Sequence, residues 1–447
     1  MTSLTKEAHN EEGPLPTVKA RAIAGVSWTV VGYGAQLVAR LGSNLINTRL
    51  LTPDAFGLLS LVFVFITGLE LLSDFGIGPA IIQSRRSDDS RLLDTAFTVQ
   101  VIRGFGLAVL AVVIAWPAAR LYHEPRLTAL LCAAGLVTAI RGFTPMRVHT
   151  LNRSVMLRGL TIMELLSQGA SIVVTVAMAW WLRSAWALLI GALAGDLARV
   201  WLSHAMLPGH RHRFLLDQEA LQEIVNVGRW VIVSTAVTFI AGNLDRLTMG
   251  RILSVSELGI YTIAYQLCFT VLSVGRTVGS RVFWPMLAET LRTAPDLLAQ
   301  RLRRVRLFWI LPSAAGLLVL SVWGEWVIHL LYPLKYNDAG WMLRLLAAGA
   351  VVGAVNAATA VVWPALGEFK VITLLQVAQI GILFAAMLVG HAFFGVVGLV
   401  AGVAVSELVA YPIQAILVAR RGLWQPEIDI PVIAGTALLA GAAALAW

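Results

Sequence analysis

The sequence predicts an all-α polytopic membrane protein, with about 12–13 transmembrane helices in two parallel-repeat six-helix bundles. Three observations predict it: the density of long apolar runs, the placement of basic residues between them, and an internal repeat. Of 447 residues, 58% are hydrophobic and only 13% charged, and the mean hydropathy is +0.78. A soluble domain is about a quarter charged. Runs of roughly 20 apolar residues recur along the chain, and at 1.5 Å per residue each crosses a hydrocarbon core about 30 Å thick. Lipid offers the backbone no hydrogen-bond partner, so these runs are helices.

Residues 1–20 are largely polar, mix Glu7, Glu11 and Glu12 with Lys6 and Lys19, and lack the apolar core and cleavage site of a signal peptide. They read as a cytoplasmic tail. Spans follow near 22–48, 55–82, 92–117, 127–146, 159–182 and 186–206, which make an amino-terminal bundle over 21–207. After a linker at 208–228, spans near 223–250, 257–279, 306–332, 340–363, 371–390 and 393–419 make a carboxy-terminal bundle over 229–421. Residues 422–447 hold one additional, shorter terminal helix.

With the amino terminus in the cytoplasm, alternate loops carry most of the arginines, among them Arg85, Arg86, Arg147, Arg153, Arg211 and Arg301. The opposite loops hold few: Arg49, Arg120, Arg126, Arg183, Arg251 and Lys335. That asymmetry sets the orientation and checks the span list, because one missed helix would scramble it. It also accounts for the net charge of +9 without a nucleic-acid partner. Two connections, 208–228 and 281–306, read as amphipathic helices on the membrane face, and the cluster from Arg301 to Arg306 points to contact with membrane lipids. Cys132 and Cys268 lie inside apolar runs, which argues against a disulfide or a thiolate metal site.

Sliding the chain on itself by 202 residues sets Trp28 on Trp230, Arg49 on Arg251, Leu51 on Leu253 and Gly57 on Gly259 without a gap. The first helix falls on the seventh, an even offset, so the halves share one orientation about an axis normal to the membrane. Parallel halves facing one another are an alternating-access design.

These segments carry a resemblance. RLLTPDAFGLLSLVFVFITGLELLSDFGIGPAIIQ, GRWVIVSTAVTFIAGNLDRLTMGRILSVSELGIYTIAYQL, FWPMLAETLR and LLYPLKYNDAGWMLRLLAAG resemble, in order and spacing, the Wzx-type polysaccharide or oligosaccharide flippases of the multidrug/oligosaccharidyl-lipid/polysaccharide exporter superfamily. The resemblance runs from about Ala20 to Arg421. It implies two six-helix lobes around a central cavity, and passage of an undecaprenyl-diphosphate-linked oligosaccharide across the bacterial cytoplasmic membrane, alongside other polysaccharide-assembly proteins. Members have twelve or fourteen spans, whereas this chain ends with a thirteenth.

An ionisable side chain at mid-membrane costs about 2.5–3.5 kcal/mol on insertion scales, so it normally faces a cavity or a partner. The ionisable residues singled out in the spans are Arg40, Arg103, Arg141, Arg199, Arg246, Arg276 and Arg344 and Glu70, Asp74, Glu164, Asp196, Asp245 and Glu407, seven arginines against six carboxylates. Arg103 is the first candidate for the substrate's anionic diphosphate, since it has no neighbour of opposite charge in its own helix and a guanidinium fork suits phosphate oxygens. Arg40, Arg141 and Arg246 follow. Glu70 and Asp74, four apart and so on one helix face, and Asp196, able to pair with Arg199 three residues on, are candidates for ion coupling. Asp245 and Arg246 project about 100° apart, so one of them ties helices together. No phosphate-binding glycine loop, H-E-x-x-H or cysteine metal pattern occurs, so a transporter without cofactor or metal is expected. The alternatives are an ion-coupled multidrug-type antiporter, which wants an acid-dominated cavity, a membrane-embedded polysaccharide-assembly enzyme, which wants a long external loop, and a flippase for the peptidoglycan lipid precursor.

Overall fold

The computed structural model describes residues 18–445 apart from 75, 79–80, 82–88, 154–156, 208–211 and 280–282. Most of the polar tail, the loop arginines Arg85, Arg86 and Arg211, and the start of the 208–228 linker lie outside them.

The described chain is helical throughout. It runs α1 (Val18–Leu50), α2 (Pro53–Leu72), α3 (Ser90–Leu121), α4 (Arg126–Gly142), α5 (Arg147–Arg153), α6 (Leu157–Leu182) and α7 (Ala185–Met206). Then come α8 (Gln218–Ile252), α9 (Val255–Val278), α10 (Trp284–Thr293), α11 (Leu298–Leu331), α12 (Ala339–Ala360), α13 (Val362–Ala365), α14 (Phe369–Ala419) and α15 (Pro426–Leu445). Among the described residues, eight helices are long and apolar enough, by length and composition alone, to cross a membrane. One of them, α14, has 51 residues and is two spans. Gly395 breaks it with φ 57° and ψ −135°, a left-handed conformation that only glycine adopts without strain. The arms fold back so closely that a Cβ at Gly390 would lie 2.1 Å from the Gly398 carbonyl.

Helix ends follow local chemistry. Pro53 opens α2, where a missing N–H costs nothing. Ser254 starts α9 with a capping box, its Oγ accepting from the Glu257 N–H while the Glu257 carboxylate accepts from the Ser254 N–H. Thr52 and Ser254, 202 residues apart, cap with nearly the same backbone angles, −80°/159° and −65°/157°.

Packing repeats with the sequence. In the first half α1 packs on α6, α2 on α3 and α4, α3 on α4, α4 on α7, and α6 on α7. In the second half α8 packs on α14, α9 on α11 and α12, α11 on α12, and α12 on α14. Between the halves α2 crosses α9. There a Cβ at Gly57 would lie 1.9 Å from the Val255 carbonyl oxygen, and one at Gly259 would lie 1.9 Å from that of Pro53. Each of these contacts maps onto the other under the 202-residue shift. Beside the crossing, the α11–α12 connection reaches over the α1–α2 turn, where Lys335 Nζ and Tyr336 Oη donate to the Leu51 carbonyl at 2.6 and 3.1 Å.

Both expected surface helices differ from expectation. Residues 212–217 have no regular secondary structure, and the helical remainder, from Gln218, is the beginning of α8. This segment is fastened to one face of α3: Arg213 N–H donates to Asp94, Leu215 N–H to Thr98 and Asp217 N–H to Thr95, at 3.0–3.1 Å. Alternate amides find side-chain acceptors, which an amphipathic helix would not need. In the second connection α10 is a short helix that packs on α11 and α13. The basic cluster does not all face lipid. Arg306 is fully buried, where it donates to Asp429 of α15 and, at 2.9 Å, to Thr359 of α12. Leu302 and Val305 are buried with it. Of this turn Arg303 and Arg304 are exposed, while α15 packs on α11 and α12 and covers Arg306.

Candidate functional site

Six of the seven candidate side chains gather in the first half, around two cavities that share Arg141. A cavity of about 350 Å³ is lined by Glu70, Asp74, Arg103 and Arg141. A second, of about 590 Å³, is lined by Arg40, Arg141 and Asp196. The last turn of α4 places Arg141 between them.

Arg141 is a clamp between helices. Its Nη1 donates to both Glu70 oxygens at 2.9 and 3.0 Å, while Nε and Nη2 donate to the two Asp196 oxygens at 3.0 and 3.1 Å. One guanidinium thus joins α2, α4 and α7 through charge-assisted, forked hydrogen bonds, the strongest kind available to side chains. Asp196 therefore pairs across helices and not with Arg199 on its own helix; Arg199 approaches Glu164 of α6 at 3.9 Å. The nearer neighbour in space wins over the neighbour in sequence.

Glu70 and Asp74 do not share a helical face at mid-span, because α2 ends at Leu72. Ser73 Oγ turns back to the Leu69 carbonyl at 2.7 Å, and the Asp74 carboxylate accepts from the Gly76 N–H at 2.9 Å. Those bonds replace the next helical turn. Arg103 reaches this helix end: Nε donates to Ser73 Oγ at 3.0 Å and Nη2 to the Glu70 carbonyl. A cation at a helix carboxyl terminus answers both the orphan carbonyls and the dipole. Its partner lies across helices, as the lone charge required.

Arg40 lines the larger cavity, exposed to it, with no hydrogen bond or ion pair to it among the described residues. Arg246 lies apart in the second half, lining neither cavity. Its Nη1 donates to Asn243 at 3.2 Å and its guanidinium stands 4.4 Å from the Tyr265 ring centre. Its neighbour Asp245 is buried and accepts from Tyr261 Oη at 2.6 Å, tying α8 to α9.

The lining of the two first-half cavities balances Arg40, Arg103, Arg141 and Arg199 against Glu70, Asp74, Glu164 and Asp196. It is neither acid-dominated nor strongly cationic. Two features escape a search for ionisable residues. Amides and hydroxyls are the largest group lining the larger cavity, with Gln36, Ser43, Asn44 and Asn47 on α1 facing Gln168 and Ser171 on α6; their helical spacing was the available signal. The second half has its own cavity of about 690 Å³, where Asn356 and Gln379 donate to Glu407 at 2.9 and 3.0 Å.

A family profile described as "Polysaccharide biosynthesis protein" matches residues 46–341. Curated relatives include the lipopolysaccharide biosynthesis protein WzxC of Escherichia coli, 22% identical over 74% of this chain and 67% of its own length. The teichuronic acid biosynthesis protein TuaB of Bacillus subtilis is 22% identical over 62% of this chain and 57% of its own. The succinoglycan biosynthesis transport protein ExoT of Rhizobium meliloti is 21% identical over 56% and 50%. Among solved structures, the lipid II flippase MurJ in an inward closed conformation superposes with a TM-score of 0.73 at 10% identity, over 93% of this chain and 92% of that one. An inward-facing multidrug resistance MATE family transporter of the MOP superfamily gives 0.64 at 14% identity, over 86% and 94%. The fold is theirs, and with two thirds of its residues inside the family profile, the chain belongs to the polysaccharide biosynthesis protein family.

Proposed function

We propose that this chain flips an undecaprenyl-diphosphate-linked oligosaccharide from the cytoplasmic to the outer leaflet, for exopolysaccharide, capsule or O-antigen synthesis. The observation that carries the reading is the pair of charged, polar cavities joined by Arg141 among helices that otherwise turn apolar side chains to lipid. Such a lining is expensive in a membrane unless it serves a polar passenger. The lipid tail would stay in the bilayer while the sugar and diphosphate pass along the cavity wall.

In this reading the halves, 21–207 and 229–421, are two six-helix bundles that rock about the α2–α9 crossing. The repeated helix pairings and the reciprocal glycine contacts support it. The 208–228 connection joins the bundles, and because 213–217 is fastened to α3, rocking must carry that segment with the first bundle and flex beyond it.

Deleting the gene should make the lipid-linked oligosaccharide accumulate on the cytoplasmic side, and mass spectrometry of that lipid identifies the repeat unit. Complementation with Arg103→Ala should restore membrane protein but leave translocation several-fold lower. The cause would be the freed end of α2, whose Ser73 and Glu70 contacts place the Glu70 carboxylate on Arg141. Normal flipping by the variant would remove Arg103 from the route.

Orientation follows from the arginine asymmetry. With Cys132 and Cys268 changed to alanine, a cysteine at Asn337 should react with an impermeant thiol reagent in intact cells, while one at Thr293 should not. Labelling in the opposite order would invert the topology.

A further inference from the structure

We propose that the larger first-half cavity is a carbohydrate-reading pocket, in which the amide and hydroxyl faces of α1 and α6 bind the hydroxyls of one part of the glycan and Arg40 binds an anionic group of the same ligand. The inference rests on the transport reading above and assigns a substrate chemistry to one of its cavities.

The residue types fit sugars. A sugar ring presents hydroxyls that donate and accept at close spacing, and side-chain amides do both from one group. Gln36, Asn44 and Asn47 provide this on α1, and Gln168 on α6. Sugars also have apolar faces, and the rings of Phe56 and Phe63 line the same cavity. Its volume, about 590 Å³, falls in the roughly 300–1,000 Å³ range of small-ligand sites. That suits part of a glycan and not the whole lipid-linked molecule.

Much of the stripe is already oriented by internal bonds. Gln168 Nε2 donates to the Gln36 carbonyl at 2.8 Å, Asn44 Nδ2 to Gln266 Oε1 at 2.9 Å, and Asn47 Nδ2 to Ser43 Oγ at 3.1 Å. Asn47 differs in one respect. The residue is 4% exposed, yet its Oδ1 has no hydrogen-bond partner. A buried amide oxygen without a partner is costly, and a ligand hydroxyl donating to it would remove that cost.

Helix packing alone does not explain the amides of the stripe, because the repeat keeps polar residues at three of its four positions but none of the amides. Under the 202-residue shift Gln36, Ser43, Asn44 and Asn47 fall on Thr238, Asp245, Arg246 and Met249. The counterpart of Asn47 is thus a buried methionine, which shows that an apolar side chain satisfies the same place in the fold. The second-half cavity has polar residues of its own, among them Thr238, Gln376, Gln379 and Gln414, and adds Trp284, Trp309 and Trp363 around Glu407. The run of amides at Gln36, Asn44 and Asn47 has no amide counterpart in the second half.

The test uses the full chain in lipid nanodiscs, with three probes: undecaprenyl diphosphate, the same lipid bearing a neutral disaccharide, and one bearing a disaccharide with a uronic acid. Asn47→Leu on α1 and Gln168→Leu on α6 should each weaken binding of the neutral glycan lipid by about 2–13-fold, the worth of one neutral hydrogen bond. Binding of bare undecaprenyl diphosphate should stay unchanged. Arg40→Gln separates the two sources of the anion: it weakens all three probes if Arg40 holds the diphosphate, and only the uronic acid probe if it holds the sugar. Equal losses with and without sugar in both leucine variants, or no loss in either, would overturn the pocket. Failure of the wild-type chain to bind any of the three would instead overturn the transport reading beneath it.

Discussion

Replacing Arg141 with alanine is expected to lower translocation at least about tenfold while much of the protein remains in the membrane. Three helices meet at this guanidinium, and without it Glu70 and Asp196 face a shared lining with no cation between them. Hydrogen bonds to charged groups are worth about 1.5–3 kcal/mol each, a figure to be reduced here because the Arg141 side chain is 43% exposed. Even about 1.4 kcal/mol against the transport-competent arrangement is tenfold. Arg141→Lys keeps the charge but not the fork, so it should recover only part of the rate. Pairing Arg141→Ala with Glu70→Gln and Asp196→Asn should restore protein abundance without restoring flipping, since the repulsion is gone but the cation is not replaced. Abundance by immunoblot, measured beside transport, separates the two effects. A triple variant that flips normally would make the clamp purely a packing device.

The sequence made the helices, their alternation and the 202-residue repeat legible because each is a one-dimensional signal: apolar length, loop charge and register. It also singled out Arg103, Arg141, Glu70 and Asp196 as out of place in lipid, since mid-membrane charge is costly wherever it occurs. Their partners were not legible. Asp196 bonds to Arg141, 55 residues away, and not to Arg199 one helical turn away, because interhelix distance is absent from a linear spacing rule. Arg306 shows the same limit: its buried partner Asp429 lies 123 residues on, so one arginine of a cluster that reads as lipid-facing turns inward. The end of α2 at Leu72 was hidden because the apolar run continues to Ile82, while the interruption is made by the Ser73 and Asp74 side chains bonding to the backbone. The stripe with Asn47 at its end was missed for a different reason. Uncharged amides are cheap enough in a helix to pass for packing until their shared face is seen.

Gly57→Ala and Gly259→Ala should each lower transport at least about fivefold, although alanine is the better helix former by about 0.8–1.0 kcal/mol. That opposition makes the test clean, because any loss must come from the crossing and not from the helices. A Cβ at either site would lie 1.9 Å from a carbonyl oxygen of the facing helix. The obstacle is backbone, so no side chain can rotate away and the helices must separate. Forced overpacking typically costs about 1–3 kcal/mol, which shifts the balance between a closed and an open crossing by roughly 5–150-fold. In the rocking scheme the end bearing the α1–α2 turn would then stay open. A cysteine at Leu188, on the wall of the larger cavity, should label faster from outside in either variant. The reciprocal perturbation is a disulfide between cysteines at Thr52 and Ser254, which flank the crossing. It should also stop transport, but slow the labelling, with reductant restoring both. Steric wedge and covalent lock thus give the same sign in transport and opposite signs in accessibility, a pattern that follows only if the crossing opens and closes during each cycle. Undiminished flipping with the bridge fully formed would refute the rocking scheme and leave the passenger to move along a surface groove between fixed bundles.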